Sequence, residues 1–269
     1  MLFVEEIMTK PIREYMSVAE IERMLAKVPA HRAGLPARDS IVGITETPKL
    51  RIIHTQEADR YDEGAVGFGM ASAAPEAAPR GDNYVGTDRR AAKLSIATGK
   101  MEMFQDVKDV IDSLVPEAKM KAHNPKIEIT AASGRVKEEQ RNVHVNVFIY
   151  AASHESDNDF HLIVGRDPNA APEMYMTMEV SGLPPAAAAS FRQLQEARNS
   201  YKDFFDREAG GKLPGSTYDF YDPPIAVTVE GSLFFDMTHT TGSRPGPASL
   251  KSRMPVIWEI HPVTKITFQ

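Results

Sequence analysis

Carboxylates and imidazoles recur at short spacing in four places along the second half of this chain. Asp157, Asp159 and His161 surround the start of one apolar run, Glu179 stands near the end of another, His239 follows a third, and Glu259 with His261 lies in the last. Residues two apart on a strand share a face, so Asp159 pairs with His161 and Glu259 with His261. Carboxylate plus imidazole suits Zn, Mn or Fe, and an open coordination position on such an ion generates a hydroxide nucleophile. If the fold brings the pairs together, a metal-dependent hydrolase of the phosphodiesterase or nuclease kind follows, with His161, His239, Glu259 and His261 as ligands to Zn or Mn. The competing reading makes the same residues the solvated outer faces of strands whose alternate positions are buried.

Other chemistries are poorly supplied. The chain has no cysteine, which excludes disulfides, thiolate metal sites and cysteine nucleophiles. It also has no Gly-rich phosphate loop ending in Lys-Ser or Lys-Thr, no G-x-G-x-x-G between a strand and a helix, no H-E-x-x-H and no G-x-S-x-G. The formal charge of −6 opposes a whole-molecule grip on phosphate backbones, so any nucleic-acid contact must come from a local patch. Acids at Glu5 and Glu6 and the lack of an 18-residue apolar run predict a cytoplasmic protein without a membrane anchor.

The elements that must position these residues follow from periodicity. Val143, Val145, Val147 and Ile149 alternate with polar and aromatic residues in a strand predicted to begin near Lys126. Phe160, Leu162 and Val164 do the same in a second, and Met176, Met178 and Val180 in a third. Phe191, Leu194, Arg198, Tyr201 and Phe205 then fall at helical spacing from Ala186 to about Arg207, ended by Gly210-Gly211. Strand character returns over Ile225 to Asp236, with a bend at Gly231, and over Val256 to Phe268, with Pro262 at a bulge or edge.

Strand, strand, strand, helix, strand, strand is the order of the OB-fold. The predicted class is therefore mainly β (α+β), an OB-like five-stranded barrel with a helix between strands three and four. A β-sandwich would want about seven strands. An irregular N-terminal region with two short helices precedes the barrel. One helix is expected on Val18, Ile21, Met24, Leu25 and Val28, the other on Phe104, Val107, Ile111 and Leu114. The division expected is a small N-terminal region over 1–63 with a hairpin of Ser40 to Thr45 and Leu50 to Thr55, a linker or mobile loop over 64–100, and the barrel domain over 101–269.

OB-folds bind oligonucleotides or oligosaccharides on an exposed sheet face. By parity that face would carry Phe148, Tyr150 and Tyr175 for stacking on bases. The acid-free stretch from Met237 to Met254 would add Arg244, Lys251 and Arg253 for phosphate. The leading expectation is thus a non-enzymatic binding module for single-stranded nucleic acid, needing no cofactor. The metal-dependent hydrolase is second. An assembly protein that docks a partner, or a second copy of itself, through its aromatic face is third. Whether the chain is an enzyme stays open at this level.

Asp159-Phe-His-Leu-Ile-Val164, Val229-Glu-Gly-Ser-Leu-Phe-Phe-Asp-Met-Thr-His239 and Trp258-Glu-Ile-His-Pro-Val263 resemble segments of uncharacterised bacterial proteins. Those share D-x-H-L-V, F-F-D-x-x-H and E-x-H-P-V motifs. The likeness covers about 130 C-terminal residues and carries no known activity. It implies importance for Asp159, His161, Glu179, Asp236, His239, Glu259 and His261. After His239 this chain continues Thr240-Thr-Gly-Ser-Arg-Pro-Gly-Pro-Ala-Ser, where many of those sequences have a short Gly-rich segment.

Overall fold

The structure is a computed structural model that describes residues 34–58, 81–241 and 244–269. The helix expected over Val18 to Val28 and the Ala- and Pro-rich centre of the expected linker lie outside the described residues. Eight strands form one mixed sheet: β1 (Ile41–Glu46), β2 (Arg51–Thr55), β3 (Met101–Phe104), β4 (Asn142–His154), β5 (Phe160–Gly165), β6 (Tyr175–Val180), β7 (Asp219–Phe235) and β8 (Trp258–Phe268). Their order is β1-β2-β7-β8-β6-β5-β4-β3, and β7 also pairs with β4. β3 with β4 and β6 with β8 are parallel; the other pairs are antiparallel. Among the described residues the helices are few: α1 (Arg90–Lys93), α2 (Val107–Asp112), α3 (Glu117–Lys121) and α4 (Phe191–Glu208).

The expected count of five strands is therefore too low. Three further strands from the first part of the chain join the same sheet, and the described residues belong to one compact unit. The hairpin predicted over 40–55 is present as β1 and β2. Its second strand pairs with Asp219 to Asp222, upstream of the Ile225 where sequence periodicity begins. Pro223 and Pro224 hid that segment because proline cannot donate to a ladder. They sit where the pairing is interrupted, since Ile149 faces Ile225 but Ala151 faces Phe220. The first predicted strand starts at Asn142 rather than Lys126. The helical stripe from Phe104 is split, with Phe104 ending β3 and the Asp106 carboxylate capping α2 by accepting from the Lys108 N–H at 2.9 Å.

The inner face matches its alternation. Val143, Val145, Val147, Ile149, Phe160, Leu162, Val164, Met176, Met178 and Val180 all enter one buried core, against which α4 lays Ala197, Tyr201 and Phe205. Each such apolar side chain removed from water contributes roughly 1.5–3 kcal/mol. Gly231 is required at its bend, because a Cβ there would lie 2.5 Å from Ile260 Cγ2 and 2.8 Å from the Pro262 carbonyl oxygen. The register of β7 against β8 shifts on both sides of it.

The opposite face departs from expectation. Every residue of β5 and β6 is buried, so His161, Ile163, Tyr175, Thr177 and Glu179 do not face solvent. Two segments cover them. Around Tyr84, main-chain bonds run from Tyr84 to Leu183 and from Val85 to Asp157, at 3.0 and 2.9 Å. Around Gly246 and Arg253, the chain passes over Ile163 and Tyr175. The described part of the supposed linker, 81–100, is thus packed structure.

It is anchored by a buried bidentate pair, in which Arg89 donates to both oxygens of Glu139 at 2.7 Å while Glu139 also accepts from the Phe235 N–H at 2.9 Å. Arg89 and Glu139 are almost fully buried, at 1% and 0% exposure. Arg89→Ala strands the Glu139 charge, so a loss of about 3–5 kcal/mol is expected in urea unfolding. A loss below about 1 kcal/mol, the range of an exposed pair, would show the pair to be dispensable.

Candidate metal centre

His161 on β5 and Glu179 on β6 are directly opposed in the antiparallel register. Glu259 on β8 is opposed to Thr177 of β6 on one side and to Phe234 of β7 on the other. Three neighbouring strands therefore present Glu179, His161, Glu259 and His261 to one region. Asp236 follows the last residue of β7, and the 3-10 turn Thr238–Thr241 returns His239 against it.

The acidic turn between β4 and β5 completes the cluster and is held by its own geometry. Asn158 takes a left-handed φ of 79° and donates to the carbonyls of Gly81 and Asn83 at 3.0 and 2.8 Å. Arg198 of α4 grips it by donating to its carbonyl at 3.0 Å, while stacking on Phe160. Asp157 accepts from the Asp159 N–H, and Asp159 accepts from the Gly182 N–H at 2.6 Å. The turn thereby delivers Glu155, Asp157 and Asp159 inward.

Glu179 lies at the centre. Its Oε1 is 3.0 Å from His161 Nδ1 and its Oε2 is 2.5 Å from His261 Nδ1. His161 Nδ1 is also 3.1 Å from Glu155, and His261 stands 3.6 Å from Glu259 and 3.5 Å from Asp159. Ligand atoms lie within 4.8 Å of one another in each of three groups: Glu155, His161 and Glu179; Asp159, Glu179 and His261; Asp236, His239 and Glu259. The first and third groups line one recess together with Lys93 and Thr238. Asp159 and His261 do not line it. The Nε2 atom of His161 is buried with no hydrogen-bond partner.

Electrostatics make this an unusual set. Six carboxylates, Glu155, Asp157, Asp159, Glu179, Asp236 and Glu259, meet one lysine and three imidazoles. Carboxylates outnumber the imidazoles and the lysine together, and three of them, Glu155, Asp159 and Glu259, hold their protons more tightly than usual. Of the nearby guanidiniums, Arg89 pairs with Glu139 and Arg198 with Asp82, while Arg135 donates to main-chain carbonyls, that of His261 among them, at 2.6 Å. Burial, reinforced by Glu179 and Asp157 against the pull of His161, pushes Glu155 up to about 8. Burial and the Glu179 charge push Glu259 up to about 7, and burial with Asp157 raises Asp159 well above the usual range. For the imidazoles burial acts downward and is overcome: Glu155 and Glu179 hold His161 well above its ordinary value, and Glu179 and Glu259 bring His261 to about 9. For Glu179 burial acts upward and is outweighed by His261, Lys93 and His161 together, which hold it well below the carboxylate range. His239, helped by Lys93 and Thr238, likewise overcomes burial to lower Asp236.

No protein-family model, curated protein or solved structure matches the chain.

All four residues expected as ligands, His161, His239, Glu259 and His261, fall in the cluster. The four residues of the two expected pairs are buried rather than facing solvent, but of the pairs only Glu259 with His261 is in contact; Asp159 meets His261 instead, and His161 meets Glu155 and Glu179. Sequence reasoning passed over Lys93, whose amine is 3.6 Å from Asp157 and which stood in the supposed linker without any periodic signal. Glu155 was visible only as part of an acidic turn.

The expected stacking and phosphate residues are placed differently. Tyr150 and Tyr175 are 2% and 1% exposed and pack edge to face, 4.9 Å between centroids, so neither ring is a free stacking platform. Their hydroxyls donate to the Arg166 carbonyl and to Glu173. Phe148 is half-buried. Arg244 pairs with Glu117, and Arg253 pairs with Glu173 at 2.5 Å. Lys251 is half-buried in the 3-10 turn Lys251–Arg253. The two arginines of the segment thus meet acids from elsewhere in the chain, which a local count of charges could not reveal. Among the described residues no helix is long and apolar enough to cross a membrane.

Proposed function

We propose that this chain is a metal-dependent hydrolase acting on phosphodiesters, with a divalent ion held by Glu155, His161 and Glu179. The observation that carries this reading is the surplus of buried carboxylate around the imidazoles. Burying unpaired charge costs several kcal/mol per ion, so in the metal-free protein protons on Glu155 and Glu259 offset part of it, and a dication is the simplest group that would take their place. The mix of carboxylate and imidazole suits Mn or Zn. When bound, such an ion lowers the pKa of a coordinated water and polarises a phosphoryl oxygen. Lys93, on the same recess, supplies a fixed positive group for a second phosphoryl oxygen. Hydrolysis then adds water to phosphorus and breaks one P–O ester bond, with the departing oxygen taking up a proton.

The same reading extends to the architecture. Strands β4 to β8 are taken as an OB-like five-stranded barrel around which β1, β2 and β3 are added. Its support is the sequence of pairings: β4 with β5, β5 with β6, β6 with β8, β8 with β7, and β7 with β4, with α4 between β6 and β7.

The full chain, stripped with chelator and incubated with Mn2+ or Zn2+, is expected to retain at least one ion per chain by elemental analysis. It should hydrolyse bis(p-nitrophenyl) phosphate, lose that activity in EDTA and regain it on metal addition. Absence of retained metal together with absence of hydrolysis would remove the proposal.

A further inference from the structure

We propose that the recess holds two divalent ions, the second bound by Asp236, His239 and Glu259. This rests on the hydrolase reading and deepens it to a two-metal centre. Both carboxylate-imidazole groups line the same recess, the turn after β4 with β5 and β6 supplying one and the end of β7, the turn after it and β8 supplying the other. They are joined from behind by His261, whose Nδ1 lies 2.5 Å from Glu179 and 3.6 Å from Glu259, one carboxylate from each group. His261 is wholly buried and outside the recess lining, so it couples the two groups without facing the reacting space.

The ligand sets give the number of ions. Each group offers two carboxylates and one imidazole, and because a ligating imidazole is neutral, the two carboxylates of each group match one dication. Paired ions about 3.5–4 Å apart stabilise both the attacking and the departing oxygen of an in-line displacement, which fits phosphodiester cleavage. Lys93 would then serve the non-bridging oxygens.

The experiment is the stoichiometry of Mn2+ on the full-length chain after chelator treatment and reloading, by elemental analysis and electron paramagnetic resonance. Two Mn2+ per chain with an exchange-coupled spectrum is expected. In Asp236→Asn and His239→Ala, checked for native circular dichroism, one Mn2+ with an uncoupled six-line spectrum should remain. One Mn2+ per wild-type chain, uncoupled, overturns the second site while leaving the single-ion hydrolase standing. Absence of bound Mn2+ overturns the two-ion centre, and absence of bound Zn2+ and of hydrolysis besides overturns the hydrolase as well. The wild-type count decides the matter even if both variants fail to fold.

Discussion

Glu179→Gln is expected to weaken Mn2+ binding by a factor on the order of 100 or more, and phosphodiester hydrolysis with it. Loss of a residue that merely supports a ligand typically costs about 10- to 100-fold in affinity, and Glu179 is placed as a ligand itself. The substitution preserves shape while removing the one carboxylate that touches both His161 and His261. It also replaces an acceptor oxygen by an amide that donates, against two imidazoles that need acceptors. Isothermal titration with Mn2+ reads the affinity directly. Glu173→Gln, which breaks the pair with Arg253 instead, is the matched control and should bind as wild type does. If Glu179→Gln stayed within about threefold of wild type, Glu179 would not be a ligand.

The metal-free protein should lose stability steadily as pH rises from about 5 to 9, with recovery on adding Mn2+ or Zn2+. The sign follows from five groups of raised proton affinity, Asp159 among them, which together outweigh His154, lowered by burial. Glu259 and Glu155 move from an ordinary 4.5 to about 7 and about 8 when folded. His261 moves from 6.5 to about 9, and His161 also moves upward. In each of the five the folded state holds the proton more tightly than the unfolded one. Their stabilisation is fully present below the unfolded values and disappears as pH passes the folded ones.

Glu179 and Asp236 are depressed, so their stabilisation is present above the ordinary carboxylate range and is lost only on acidification. They do not oppose the trend between about pH 5 and 9. A tenfold difference in proton affinity between folded and unfolded states corresponds to about 1.4 kcal/mol. A fall of at least several kcal/mol across this range is therefore expected, or more than roughly 10 °C in melting temperature for a domain of this size. Bound metal replaces the protons, so its stabilising effect should grow with pH. Thermal melts in EDTA that are flat or rising from about pH 6 to 9 would contradict the arrangement of charges around Glu179.

Much of the inner architecture was legible because a strand's parity is a local property. Val143 to Ile149, Phe160 to Val164 and Met176 to Val180 declare one buried face by alternation alone, and α4 declares itself by spacings of three and four. Even so, Pro223 and Pro224 masked the first third of β7, the hairpin of β1 and β2 was assigned to a separate N-terminal region, and β3 was not expected as a strand, Phe104 being read into a helix. Membership of these strands in the sheet depends on a partner far along the chain. Asp219 to Asp222 receives β2, and Asn142 to Val145 receives β3.

The same limit explains the misplaced aromatic face. Parity says that Tyr175, His161 and Glu179 point away from the core; it does not say whether anything lies over them. That was decided by the Tyr84 segment bonding to Leu183 and Asp157, and by the Gly246 to Arg253 segment passing over Ile163 and Tyr175. Covering that face turned exposed stacking rings into packed ones and solvated acids into buried ones.

Sequence by itself singled out Asp159, His161, Glu259 and His261 by their spacing, although in the structure Asp159 lies beside His261, and His161 beside Glu155 and Glu179. Only the tertiary structure brought these residues to Glu179, added Glu155 and Lys93, and enclosed them. Convergence and burial arise from contacts between segments distant in the chain. They convert ordinary surface carboxylates into a charge-laden recess, because the strength of a charge depends on how much water remains beside it.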